Sequence, residues 1–374
     1  MRKTKQTPVV CAASKIAEIA SRARPVTSYD VALVAGVSQS AVSRCFKPGA
    51  SVSQSTYARV MKAAAQLDYV PNAAARSLIT RRSNMVAVLI TNRANLYYPE
   101  LLAELSNQLT PHGKRVLLFP LASEADAERA LVDLWQFGVD GVIAAAQLPA
   151  RAVAEFKRRH VPLVLFNRLL DDASVATVSC DHHAAGRLLA ARLAAAGHRQ
   201  FGLITGSKDS PVAIARQQGV CAQLAELGLP TPQIVTGEFD YHSGAAGLKS
   251  LIARYGSVPD AIICANDVMA IGCLDCARHE LGIDVPGQLS VAGLDAVEPS
   301  NWLSYNLTTL RQPMAQMAAA AAQLVCRLIE VPGSDARRQL FGAEFIEGAT
   351  ARLHQPGKNA GNAPFSLPLP LAIM

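Results

Sequence analysis

Two groups of side chains in this sequence have types and spacing suited to binding chemistry. The first is the run Gln39-Ser40-Ala41-Val42-Ser43-Arg44-Cys45, in which Gln39, Ser40, Ser43 and Arg44 fall on one helical face and Ala41, Val42 and Cys45 on the other. Amide, hydroxyl and guanidinium groups presented from one helix face can reach base edges and phosphates in a major groove. The second group is dispersed. Asn95-Leu96-Tyr97-Tyr98, Asn167-Arg168, Ala265-Asn266-Asp267 and Asp295 each follow an apolar run, and Arg216 and Phe239 lie in connecting segments. Amides, a carboxylate and a guanidinium exchange hydrogen bonds with vicinal hydroxyls, and aromatic faces stack on a sugar or a base. That chemistry suits a small polar ring.

The first group needs a helical scaffold, and residues 27–80 supply one. Thr27-Ser28 offers a capping hydroxyl before apolar positions at helical spacing through Ala35, Gly36 stops that helix, and Ser38 caps the next. Ser53 caps a third, predicted over 54–67, whose Val60, Ala64 and Leu67 close a small core. Pro71 ends the preceding structure, and Asn72 can cap a short Ala-rich helix over 72–80 that needs a partner to form, because nucleation is costly.

The second group needs strand ends. Apolar runs at Val86–Ile90, Val116–Phe119, Gly141–Ala144 and Leu163–Phe166 alternate with amphipathic stretches. After Asp181 the pattern restarts with Phe201–Ile204, Ile234-Val235, Ala261–Cys264 and Leu289–Ala292. Continuous apolar strands separated by helices predict doubly wound parallel sheets in two lobes, with a ligand beyond the carboxyl ends of the strands. The fold class is α/β with an all-α N-terminal head.

Length and composition agree. At about one domain per 150 residues, 374 residues make two or three domains, and 50% hydrophobic against 17% charged residues can bury a large core. No apolar run reaches the roughly 18 residues of a membrane span, and the apolar stretch 9–13, cut by Ser14 and Lys15, is shorter than the roughly 7 to 15 residues of a signal segment. Cytoplasmic residence without membrane association is the expectation. Residues 1–83 hold thirteen Lys and Arg against three acids, a net of +10, whereas the rest of the chain carries 23 against 26, a net of −3. Such a head meets a polyanion, a nucleic acid or a membrane surface, and the helix, tight turn, helix pattern favours DNA.

Other chemistries find little support. Eight cysteines are spread singly apart from Cys273-Leu-Asp-Cys276, which has no partner pair at zinc spacing and reads as buried helix. Asp181-His182-His183 resembles a metal signature, but Asp181 reads as a helix N-cap. No nucleophile elbow, phosphate loop or zinc-hydrolase motif occurs, so neither an enzyme, a cofactor nor a metal is expected.

The blocks Pro25-Val26-Thr27-Ser28-Tyr29-Asp30-Val31-Ala32, Ala35-Gly36-Val37-Ser38, Ala41-Val42-Ser43-Arg44 and Tyr69-Val70-Pro71-Asn72-Ala73-Ala74-Ala75-Arg76-Ser77-Leu78 resemble the head and hinge of the lactose-repressor/galactose-repressor (LacI/GalR) family of bacterial transcription regulators. The likeness continues through 265–272, 291–295 and 307–313 to about residue 350. It implies that Gln39, Ser40 and Arg44 read bases and that Tyr29, Ser38, Ser43, Ser53, Thr56, Tyr69 and Asn72 hold phosphates. Arg76 joins this DNA-binding set, and Leu78 is implied as an apolar wedge on a hinge helix in the minor groove. It further implies a periplasmic-binding-protein-like body with Tyr97, Asn167, Arg216, Phe239, Asn266 and Asp295 at effector-contacting positions. Ala296 departs from the family, where an acid or amide often follows the first acid. The basic extension over 1–25 departs too, either as an arm or as a misplaced start.

The domains implied are the extension 1–25, a head over 26–71, a hinge over 72–83, a body over 84–352 and a tail over 353–374. Within the body, lobe 1 is expected at 84–177 and 308–333 and lobe 2 at 178–307 and 334–352. Two heads must match a pseudo-palindromic operator in double-stranded DNA, so a homodimer is expected; the tail lacks heptads for a coiled coil. The implied mechanism is repression modulated by a small effector, a sugar by preference, with a purine or sugar acid acting as corepressor as the alternative. A solute-binding transport protein shares the body but not the head, and a hydrolase on the same fold would show turnover of a sugar.

Overall fold

The structure is a computed structural model and describes residues 9–47, 49–72, 77, 82–91, 96–121, 126–168 and 174–353. Arg76, Leu78, Asn95 and the tail from 354 onward, all named above, lie outside the described residues. The chain divides into two compact units, 1–83 and 84–374.

The first unit is helical: α1 Val9–Ala20, α2 Ser28–Ala35, α3 Gln39–Cys45 and α4 Gln54–Gln66. Thr27 and Asp30 form a reciprocal capping box at the start of α2, and Gly36, at φ +64°, closes its end in a left-handed conformation that costs glycine nothing. Ile19, Val31, Val42, Val60, Ala64 and Leu67 make the core. The extension is part of that core. Ile19 is buried from α1, and Arg22 and Arg24 both pair with Asp30, at 3.1 and 2.8 Å. The Arg24 and Thr27 side chains beside Asp30 hold its carboxyl far below the usual range despite burial. The stretch 9–13 lies in the first part of α1.

The second unit carries two parallel sheets. The first has strand order β11-β5-β4-β3-β1-β2, formed by β1 Met85–Thr91, β2 Arg115–Leu121, β3 Gly141–Ala144, β4 Leu163–Phe166, β5 Ala176–Cys180 and β11 Arg338–Phe341. The second has order β7-β6-β8-β9, formed by β6 Phe201–Thr205, β7 Gln233–Thr236, β8 Ala261–Cys264 and β9 Ser290–Ala292. β10 Thr309–Arg311 and β12 Glu344–Ile346 make a short antiparallel ribbon. Helices cover both faces of each sheet, which is why the central strands read as unbroken apolar runs. The helix Met314–Glu330 packs on the first sheet through Met317, Ala321 and Val325. β11 pairs in parallel with β5, so residues 338–341 and 178–180 sit in the first lobe, where the sequence reading had placed both in the second. The correction has a simple cause: β11 is a half-exposed edge strand that opens on Arg338-Gln339 and carries no long apolar run.

Candidate functional site

In the head, Ser38 caps α3 by accepting from the Ala41 N–H at 3.3 Å, and Ser53 caps α4 by accepting from Thr56 N–H at 3.3 Å. Ser40, Ser43 and Arg44 are exposed on α3, while Val42 is buried beneath them. Gln39 donates to Ser28 Oγ at 3.2 Å, and Arg44 Nε donates to the Ser40 carbonyl at 3.4 Å. Tyr29 is 72% exposed. Tyr69 packs edge-on against Phe46 at 5.6 Å, and Asn72 is exposed at the end of the described segment. The result is one helix with a dry underside and a polar outer face, flanked by hydroxyls at two helix N-termini, where positive dipole ends favour anions.

In the body, a cleft of about 470 Å³ lies between the lobes, and its wall includes Tyr97, Asn167, Arg216, Phe239 and Asp295. Tyr97 opens the helix after β1, Asn167 follows β4, Asp295 follows β9, and Gln312 follows β10 at a lobe crossing. These groups form one chain of hydrogen bonds. Asn167 Nδ2 donates to Tyr97 Oη and to Gln312 Oε1, both at 2.7 Å; Gln312 Nε2 donates to Asp295 Oδ1 at 2.7 Å; Arg216 Nη2 pairs with the same oxygen at 2.5 Å. Arg216 also donates to the Ala265 carbonyl and, at 3.3 Å, to His182 Nδ1. Asn167 Oδ1 accepts from the Cys180 N–H at 3.0 Å, fixing which end of the amide faces the cleft.

The electrostatics follow from burial. Arg216 is 3% exposed; burial works against its charge, but Asp295 more than offsets this and raises its pKa. Burial, aided by Asp295, pushes the Tyr97 hydroxyl well up, so it remains a neutral donor. Burial and the neighbouring Arg216 and Arg168 hold His182 well below the ordinary imidazole range. Behind the cleft, Asp267 accepts from Thr309 Oγ1 at 2.6 Å and from the Val297 N–H at 2.9 Å, and burial with the nearby Asp295 pushes its pKa up to about 7. Backbone strain collects in the same wall: Asn167, Phe239 and Asp295 have φ of +51°, +61° and +117°. The Phe239 ring fits only because residue 206 is glycine, since a Cβ there would collide with it.

Of the six residues expected at this site, five line the cleft. Asn266 does not: its amide caps the helix Asp267–Asp275 through Met269 N and donates to the Phe239 carbonyl at 3.0 Å, so it positions Phe239 instead. Ala296 is buried at φ +52° beside the site. Sequence reasoning missed Gln312, whose strand is too short and polar to show, and His182, set aside with the Asp181 cap. That cap is real: Asp181 accepts from Ala184 N–H at 2.9 Å. Among the described residues no group of three His, Cys, Asp or Glu side chains could hold a metal, and no helix is long and apolar enough to cross a membrane.

Residues 27–72 match the family described as bacterial regulatory proteins, lacI family, and residues 190–351 match a periplasmic binding protein-like domain. The HTH-type transcriptional regulator AscG of Escherichia coli is 32% identical over 310 residues, 81% of this chain and 91% of that protein. The chain belongs to the LacI family. It is a DNA-binding transcription regulator and not an enzyme, and its two-part α/β architecture is the LacI one. The crystal structure of the lac repressor dimer bound to operator and the anti-inducer ONPF has a TM-score of 0.79 at 26% identity, covering 87% of this chain and 99% of that one. A transcriptional regulator CelR–cellobiose complex has a TM-score of 0.67 at 27% identity, covering 88% and 100%.

Proposed function

We propose that this LacI-family regulator is a cytoplasmic homodimeric repressor whose operator affinity is set by a small uncharged polar ring, a sugar or sugar derivative, bound in the cleft. The observation that carries the reading is the hydrogen-bonded chain from Tyr97 and Asn167 through Gln312 to Asp295 and Arg216, which draws groups from both lobes onto one cavity. A ligand there touches both lobes and shifts their closure by its differential affinity, worth about 1 to 3 kcal/mol, or roughly 5- to 150-fold in operator binding. The wall's charges, Arg168 and Arg216 against Asp209, Glu238 and Asp295, come close to cancelling, which favours a neutral sugar over a sugar acid. Gln39, Ser40 and Arg44 read bases, the surrounding hydroxyls, Tyr69 and Asn72 hold phosphates, and Arg76 and Leu78 act at the hinge. The lac repressor structure is a dimer on its operator, and Trp302 and Leu303, 50% and 98% exposed on the second lobe, give this chain an apolar surface for a second copy.

The test is fluorescence anisotropy with labelled genomic fragments at physiological ionic strength, with and without added sugars. A fragment bound well above scrambled competitor, with affinity changed by a sugar, supports the reading. Equal binding to all fragments, liganded or free, overturns it.

A further inference from the structure

His182 opens the helix His182–Ala195 where the chain passes from β5 into the second lobe, and it is 5% exposed. Its Nδ1 accepts from Arg216 Nε at 3.3 Å, so in the neutral ring the proton sits on Nε2. That Nε2 is buried with no hydrogen-bond partner; among the described residues only Ser334 Oγ shares this condition. The ring also stands in the wall of two cavities. One is the cleft of about 470 Å³, the other a neighbouring space of about 180 Å³, and the walls have Asn167, His182 and Val212 in common. Burial and the charges of Arg216 and Arg168 keep the imidazole neutral. A buried N–H left unpaired costs its desolvation, and a site built to donate to a ligand discriminates sharply against analogues lacking the acceptor.

We propose that His182 is a specificity-determining residue, donating its Nε2–H to an acceptor oxygen or nitrogen of an uncharged ligand seated where the two cavities adjoin. The proposal rests on the effector reading above. A structural role is the competing account, and it makes different predictions. If Nε2 serves the ligand, replacing the ring with an unbranched apolar side chain removes the response while costing the free protein only the acceptor for Arg216. If the ring merely fills space, the response survives.

The experiment uses the full chain and an equimolar mixture of D-ribose, D-glucose, cellobiose and adenosine as the probe. Thermal melting is followed for the wild type, His182→Gln and His182→Met, with histidine-specific 15N NMR on the wild type. The expected result is a probe-induced rise in Tm for the wild type, retained in part by His182→Gln and lost by His182→Met, corresponding to at least tenfold weaker binding. In the NMR arm, the His182 signals should report a neutral ring protonated on Nε2, with that N–H shifting on addition of the probe. An undiminished response of His182→Met, or a proton on Nδ1, overturns the role of His182 while leaving the effector reading standing. A wild type that ignores the mixture overturns the effector reading and this proposal with it. Should His182→Met fail to fold, the NMR result on the wild type decides.

Discussion

Arg216→Met is the perturbation whose consequences can be worked furthest. The guanidinium is buried, pairs with Asp295 at 2.5 Å, donates to the Ala265 carbonyl, and donates to the His182 ring, whose other nitrogen has no partner among the described residues. Methionine keeps much of the volume but leaves the Asp295 carboxylate, itself 7% exposed at the side chain, with Gln312 alone. Breaking one half of a buried pair costs about 3 to 5 kcal/mol. For a body of this size each kcal/mol moves Tm by about 2 to 4 °C, so the variant should melt roughly 6 to 20 °C below the wild type. Arg216→Met with Asp295→Asn should recover part of that loss, because the uncompensated charge is gone while the Gln312 contact survives; the cycle should show coupling of about 0.5 to 3 kcal/mol. Differential scanning calorimetry at neutral pH measures all four proteins, and anisotropy on an operator fragment checks that the folded variants still bind DNA. A single variant melting within about 2 °C of the wild type, or strictly additive losses, would refute the reasoning.

Three further outcomes are expected. Asp267 has a folded pKa of about 7 against an unfolded value of about 3.9, so the stability of its neutral form is complete below about pH 4 and is lost as pH rises through 7. Asp267→Asn can keep the Val297 and Thr309 contacts, so its Tm should fall less than that of the wild type between pH 5 and 8, and parallel curves would count against a buried titrating carboxyl. Arg44→Ala should weaken specific operator binding by about 1 to 3 kcal/mol with little change on random DNA; an equal loss on both would reassign it to a phosphate. Leu303→Asp should shift the protein toward monomer in analytical ultracentrifugation and weaken operator binding with it, whereas an unchanged sedimentation coefficient would move the interface elsewhere.

The parts of the fold that were legible in the sequence are those where one physical rule dominates. β3, β4 and β8 are buried on both faces, and their apolar runs gave the strand ends without error. The helix starts at Ser28, Gln39 and Gln54 were legible because a capping hydroxyl precedes each one. β10 escaped because Thr309 is buried as a hydrogen-bond donor to Asp267, not as an apolar side chain, and Gln312, which follows that strand, escaped with it. α1 was not legible because Ser14 and Lys15 interrupt the apolar run, although Ile16 and Ile19 continue the helical spacing. Asn266 was ambiguous for another reason: a polar residue at a strand end satisfies a helix cap as readily as a ligand, and only geometry separates the two.

The left-handed backbone at Phe239 is held in place by what its side chain packs against. A bulky aromatic at φ +61° sits against its own intrinsic preference, and glycine would relieve that while deleting the ring from the cleft wall. Because that ring also packs on the core of the second lobe, losing it costs about 3 to 5 kcal/mol against the roughly 1 to 3 that the backbone would recover, so a laboratory lineage selected only for surviving heat would keep the aromatic.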